Sequence, residues 1–141
     1  MELIIDATDS IAGRLAAFAA KQSLLGSTVN IVNADRAVIS GNRDNVLQKY
    51  HHKINVRGRP EKGPFISRVP DRFLRRIVRG MVPFKQARGR EAFKRVMCYV
   101  GVPDEFKGKT LIRLPEADAS RVRFAQKTSL KEICMAIGGK V

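Results

Sequence analysis

Residues 3–32 read LIIDATDSIAGRLAAFAAKQSLLGSTVNIV, and this stretch predicts the fold. Two short apolar runs, at residues 3–5 and 28–32, are typical of buried strands. Between them the spacing predicts a helix that Asp9 or Ser10 caps and that Gly26 stops. Its buried face is predicted to hold Ile11, Leu15, Phe18, Gln22 and Leu25. Strand, helix and strand in this order form a βαβ unit, so we expect a parallel sheet with a right-handed crossover.

The rest of the chain continues the α/β pattern. Further strands are predicted at residues 37–39 and 96–100, and a weaker one at 110–113. Helices are predicted beyond Gly41, over residues 71–81, from Gly89 to about Arg95, and from a capping box at Ser129-Leu130-Lys131-Glu132 to Gly138. We therefore predict one three-layer α/β/α domain over residues 1–141, around a mostly parallel sheet of about four strands. From His51 to Pro70, glycines, prolines and basic residues predict an arm without a core of its own, disordered in the free protein.

Positive charge is concentrated in the middle of the chain. The net charge is +14, and residues 49–95 hold fifteen basic side chains against three acidic ones. Such an excess indicates a polyanionic partner, either nucleic acid or an acidic membrane surface. We call residues 49–95 the basic segment.

The predicted helix over residues 71–81 is amphipathic. Arg72, Arg75, Arg76 and Arg79 fall within an arc of about 100°. Phe73, Leu74, Ile77, Val78 and Met81 lie opposite them and predict a face that docks on the core. Arginine suits a phosphate partner because its planar guanidinium makes two parallel hydrogen bonds.

A single basic helix is usually just a solvated face, but here the charge continues on both sides of it. The candidate phosphate contacts outside the helix are Lys53, Arg57, Arg59, Lys62, Arg68, Lys85, Arg88, Arg90 and Lys94. This continuation favours nucleic acid. No helix-turn-helix, zinc-finger, RRM or KH pattern is visible, and aromatic residues are few, so we expect recognition of RNA shape and backbone.

Other chemistries have weaker signals. Gly108-Lys109-Thr110 lacks the earlier glycine of a P-loop, and His51-His52 has no partners at metal-ligand spacing. Asp6 and Asp35 follow predicted strands, where acidic side chains could bind metal ions, so a two-metal nuclease is an alternative function. Capping of a helix and a turn explains the two residues more simply.

Cysteine usage and hydropathy bear on the location of the chain. Cys98 and Cys134 are predicted to be buried free thiols. No apolar run approaches the length of a membrane helix, and the first residues do not resemble a signal peptide. Besides nucleic-acid binding and a nuclease, a third hypothesis is a protein that binds the membrane surface, because the basic segment alone could attract acidic lipids.

An ordered set of short motifs resembles one known family. The motifs are Ile5-Asp6-Ala7, Gly13-Arg14-Leu15-Ala16, Val32-Asn33-Ala34, Ile39-Ser40-Gly41, Lys49-Tyr50, Gly63-Pro64, Val78-Arg79-Gly80-Met81-Val82-Pro83 and Tyr99-Val100-Gly101-Val102-Pro103. Together they resemble the L-thirteen family of large-subunit ribosomal proteins in its archaeal form.

The resemblance implies a structural protein of the large ribosomal subunit that binds its ribosomal RNA and supports assembly. It also implies a cytoplasmic location in the ribosome, neighbouring large-subunit proteins as contacts, and a tight turn against RNA shaped by Gly80, Met81 and Pro83. No enzymatic activity, cofactor, metal, small-molecule substrate, membrane partner or homo-oligomer is expected.

Overall fold

The computed structural model describes residues 1–56, 58–59, 61–63, 65–123 and 126–140. In chain order, the strands and α-helices are β1 (Glu2–Asp6), α1 (Ala12–Leu24), β2 (Thr28–Val32), β3 (Val38–Ser40), α2 (Arg43–Asn55), α3 (Pro70–Met81), α4 (Ala87–Lys94), β4 (Val96–Cys98), β5 (Lys127–Ser129) and α5 (Leu130–Ala136). Short 3-10 turns at Ala34–Arg36, Asp104–Phe106, Pro115–Ala117 and Ala119–Arg121 connect some of these elements.

The central sheet is parallel, as the βαβ pattern predicts. Its strand order is β1-β2-β4, with Ile5 opposite Ile31 and Ile31 opposite Cys98. The weak strand predicted at residues 110–113 is reduced to a single bridge, because only Ile112 pairs with Ile5 at the outer edge of β1. β3 does not join this sheet, since it pairs antiparallel with β5 in a separate two-stranded sheet.

The two faces of the central sheet are covered differently. Ile5 and Ile31 belong to the main core, which also contains residues of α1 and α3 such as Leu15 and Leu74. On the opposite face, Ile4 and Val32 pack with Phe106, which the 3-10 turn Asp104–Phe106 supplies. The α/β class and the mostly parallel sheet are therefore confirmed.

The predicted buried face of α1 is only partly right, since Leu15 is buried and Phe18 packs against the core but Leu25 does not. The buried residues of this helix are Ala12, Leu15, Ala16, Ala19, Ala20 and Ser23, whereas Leu25 is 71% exposed. Small side chains are favoured here because they let α1 pack closely against α3 and the sheet. The predicted cap is wrong, because the cap residue is Ile11, without a side-chain hydrogen bond. Ser10 contributes its backbone instead: its carbonyl accepts a hydrogen bond from the Val38 amide at 2.9 Å.

Helix α2 is longer than predicted. The apolar pattern fails at His51, yet the helix continues to Asn55, so the arm begins later than residue 51. Its start is capped by Asn42, whose side chain accepts a hydrogen bond from the Asp44 amide at 2.9 Å. Tyr50 packs α2 against α3, because its ring lies edge-on to Phe73, with ring centroids 5.2 Å apart.

The last helix begins and ends as predicted. The Ser129 hydroxyl accepts a hydrogen bond from the Glu132 amide at 3.2 Å, and Gly138 has the left-handed conformation that terminates many helices. The Glu132 carboxylate forms an ion pair with Arg43 of α2, with 3.3 Å between Oε2 and Nε.

Candidate nucleic-acid interface

Helix α3 positions the predicted arginines on a rigid support. Phe73, Leu74 and Val78 are buried in the core, which anchors the helix. Arg72 and Arg76 are exposed on the other side, whereas Arg75 and Arg79 are half-buried. Met81, predicted on the apolar face, is 43% exposed because the chain turns away immediately after it.

Arg75 is bound to the protein itself. Its Nε donates a hydrogen bond to the Val96 carbonyl at 2.8 Å, and its Nη2 donates one to the Phe93 carbonyl at 3.3 Å. The guanidinium also lies over the Phe93 ring, 4.1 Å from its centroid. Arg75 therefore ties α3 to the end of α4 and the start of β4.

Arg79 makes a similar stacking contact. Its guanidinium lies 4.1 Å from the centroid of the Phe84 ring. Phe84 and Phe93 pack edge-on, with centroids 5.4 Å apart, so each ring of this pair carries one arginine of α3. Stacking restricts the guanidiniums of Arg75 and Arg79, whereas the side chains of Arg72 and Arg76 are exposed.

A tight turn follows α3. The Phe84 amide donates to the Val82 carbonyl at 2.8 Å, and the Gln86 amide donates to the Pro83 carbonyl at 2.9 Å. Gly80 is not part of this turn: it lies inside α3, with open space where a Cβ atom would stand.

The glycine that the turn requires is Gly89. A Cβ atom on it would lie 1.9 Å from the Pro83 carbonyl oxygen. Sequence analysis missed this role and used Gly89 only as the start of a helix. The available signal was a glycine within a helical pattern, which often marks a close backbone approach.

The remaining candidates extend this surface on both sides. Arg59 and Lys62 are exposed in a turn, where the Arg59 carbonyl accepts hydrogen bonds from the amides of residues 62 and 63, both at 3.0 Å. Lys53 of α2 lies 5.2 Å from the Tyr50 ring centroid. Arg57 lies outside the described residues. The exposed cations that complete the set are Arg68, Lys85, Arg88, Arg90 and Lys94.

Asp6 has a structural role. Its carboxylate accepts hydrogen bonds from the Thr8 amide (3.0 Å) and hydroxyl (2.7 Å), from Asn33 Nδ2 (2.9 Å) and from Arg113 Nε (3.2 Å). Burial raises the pKa of this carboxyl, but the hydrogen bonds outweigh burial and hold the pKa below its usual value. Asp6 thus ties β1 to the residues after β2, and neither it nor Asp9 caps α1, contrary to the sequence prediction.

Within residues 1–56, 58–59, 61–63, 65–123 and 126–140, no group of three or more His, Cys, Asp or Glu side chains is placed to hold a metal ion. Over the same residues, none of the helices combines the length and the apolar character needed to cross a bilayer.

Comparison with known proteins identifies the family. A family model described as ribosomal protein L13 matches residues 1–105, which include the central sheet and the whole basic segment. The chain belongs to the ribosomal protein L13 family. Its members are structural proteins, so the prediction that the chain is not an enzyme is confirmed.

Relatives from archaea extend the similarity over nearly the whole chain. Large ribosomal subunit protein uL13 of Methanosarcina barkeri is 44% identical over 138 residues, which cover 97% of this chain and 98% of that protein. The proteins of the same name from Methanopyrus kandleri and Haloarcula marismortui are 40% and 38% identical, and cover 96% and 97% of this chain and 86% and 91% of their own lengths. The archaeal type of this L13-family chain, predicted from its motifs, is confirmed.

Proposed function

We propose that the chain binds large-subunit ribosomal RNA through a basic surface centred on α3, with Arg72 and Arg76 as its principal phosphate contacts. As a member of the L13 family, the chain is a structural constituent of the large ribosomal subunit and is located in the cytoplasm, in the ribosome. We propose which residues of the chain contact the RNA, and that neighbouring large-subunit proteins are further contacts.

One observation carries the assignment. Among the described residues there are five ion pairs, and their cations are Arg43, Lys107, Lys109, Arg113 and Lys127. All five lie outside the basic segment. Among the residues that the structure describes, none of the α3 arginines forms an ion pair with an acidic side chain. Like charges at this spacing repel one another. Phosphate groups of RNA would neutralise them.

The four arginines divide into two pairs. Arg72 and Arg76 have exposed guanidiniums and are free to grip phosphates in a bidentate manner. Arg75 and Arg79 are oriented by stacking on Phe93 and Phe84, and the edges that they leave free would add charge without loss of side-chain entropy. Two exposed contacts, Arg72 and Arg76, thus alternate along α3 with two preorganised ones, Arg75 and Arg79.

The flanking residues widen this surface. Helix α2 contributes Lys53, the arm contributes Arg57, Arg59, Lys62 and Arg68, and the region after α3 contributes Lys85, Arg88, Arg90 and Lys94. Gly80, Met81 and Pro83 belong to the proposed contact as the end of α3 and the turn that follows it. If six to ten phosphates are contacted, affinity falls by about 10³- to 10⁵-fold between 50 and 200 mM salt.

The test is a charge-matched pair of double variants. Arg72→Gln with Arg76→Gln is compared with Arg121→Gln and Arg123→Gln, two exposed arginines outside the basic segment. Dissociation constants for large-subunit ribosomal RNA are measured over a range of salt concentrations. The α3 variant is expected to bind more weakly and to lower the salt slope by about 2, because each lost phosphate contact removes roughly one unit. Equal losses in both variants, or no loss in the α3 variant, would refute the assignment.

A further inference from the structure

Phe65 is an exposed aromatic ring within the basic segment. The side chain is 77% exposed. The other aromatic residues of this segment are packed: Tyr50 pairs with Phe73, and Phe84 pairs with Phe93. Among the described residues of the basic segment, Phe65 is thus the aromatic side chain whose ring is exposed and not paired with another ring.

The ring of Phe65 lies close to Gly63. Gly63 has a left-handed backbone, with φ of +85°. A Cβ atom at Gly63 would lie 3.1 Å from Cε2 and 3.2 Å from Cδ2 of Phe65, so the ring edge rests on the glycine. The ring is therefore supported on one edge and open elsewhere.

Two clefts meet at Phe65. Both are lined by Phe65, Ile66, Ser67 and Arg72. One has a volume of about 350 Å³ and continues to Arg75, Arg76 and Phe93; the other has about 440 Å³ and continues to Arg68 and Ile54. Both volumes lie in the range of small-molecule sites, roughly 300–1,000 Å³, so either has space for a planar ring.

We propose that Phe65 stacks on an unpaired base of the ribosomal RNA, while Arg72 and Arg76 hold the phosphates beside that base. This inference rests on the proposed RNA binding and specifies one site within it. The cations around the ring favour a partner that is aromatic and anionic at once, and an unstacked nucleotide has both properties. An apolar peptide segment would cover the ring but would leave the surrounding cations without neutralising charge.

The test separates base contacts from backbone contacts. Wild-type protein, Phe65→Leu and Phe65→Tyr are titrated with a short oligoadenylate and with a strand of equal length that lacks bases. Phe65→Leu is expected to weaken oligoadenylate binding by about 5- to 150-fold, the range for loss of one base–aromatic stack. Binding of the abasic strand should not change, and Phe65→Tyr should retain most of the wild-type affinity because it keeps the ring.

Met97→Ala serves as the control for loss of an exposed apolar side chain. Met97 is 38% exposed and alternates along β4 with the core residues Val96 and Cys98, so it faces the opposite side of the sheet. Circular dichroism would establish that each variant is folded. Unchanged oligoadenylate affinity in Phe65→Leu, or equal losses for both strands, would overturn the stacking proposal while leaving RNA binding by α3 intact. Failure of the wild-type protein to bind ribosomal RNA would instead refute the proposed function.

Discussion

Gly89 and Pro83 are in direct contact, because the backbone of α4 at Gly89 lies against the Pro83 carbonyl group. A Cβ atom at position 89 would be 1.9 Å from the carbonyl oxygen and 2.2 Å from the carbonyl carbon. Both neighbours are backbone atoms, so they cannot rotate out of the way as a side chain would. This contact sets the position of the turn relative to α4, and hence that of Phe84 beneath Arg79.

Gly89→Ala is expected to destabilise the protein by roughly 3 kcal/mol or more, because the backbone of the turn or of α4 must move. The matched control is Gly80→Ala, which has open space for its methyl group inside α3. It should raise the free energy of unfolding by about 0.5–1 kcal/mol, since alanine loses less entropy than glycine in a helix. Urea denaturation of both variants measures the difference, and similar effects at the two positions would contradict this structure of the turn.

Arg75→Leu should lower stability even without RNA. The substitution removes two hydrogen bonds and leaves the Val96 and Phe93 carbonyls without these donors, at a cost of about 1–2 kcal/mol for a half-buried site. Arg76→Leu, one position along the helix and exposed, should change the free energy of unfolding by less than about 0.5 kcal/mol. Thermal or urea unfolding of the free protein tests this contrast. Equal stability of the two variants would mean that Arg75 does not join α3 to β4.

The pKa of Asp6 predicts an acid-dependent loss of stability. Because the hydrogen bonds lower this pKa below 3.8 in the folded state, the unfolded state binds a proton more readily as the pH falls. The contribution of Asp6 is therefore complete well above pH 3.8 and is lost as the pH drops through the folded value. Asp6→Asn should be less stable at neutral pH and should show a flatter stability curve in acid, measured by urea denaturation. Glu105→Gln, at an exposed position, is the control; an Asp6→Asn curve parallel to that of the wild type would contradict the prediction.

The two cysteines should resist modification in the folded protein. Both are free and buried, as predicted from the sequence, and burial raises the pKa of Cys98 to about 12 and that of Cys134 to about 11. Disulfide reagents react with thiolates, so at pH 8 the native protein is expected to react slowly and the urea-unfolded protein rapidly. Single Cys→Ala variants assign the signal to each thiol. Rapid stoichiometric labelling of the native protein would show that the thiols are accessible.

Local patterns in the sequence predict the parallel core and the amphipathic α3 because both depend on the spacing of apolar residues. The buried face of α1 does not follow from the same rule: close packing on α3 selects alanines over the larger Ile11 and Leu25. Likewise, the stacking of Arg75 depends on Phe93, eighteen residues away, which only the tertiary structure brings beneath the guanidinium. The arginines could therefore be chosen from the sequence as candidates, but not divided into anchored and exposed ones.

The parallel pairing of β2 with β4 has a consequence for the order of events during translation. These neighbouring strands are separated in the chain by residues 33–95, so the basic segment forms the larger part of the crossover between them. A nascent chain must be synthesised past Cys98 before the third strand can be added, and past α5 before α3 has all of its packing partners. The cationic stretch is thus synthesised before the scaffold that holds it is complete.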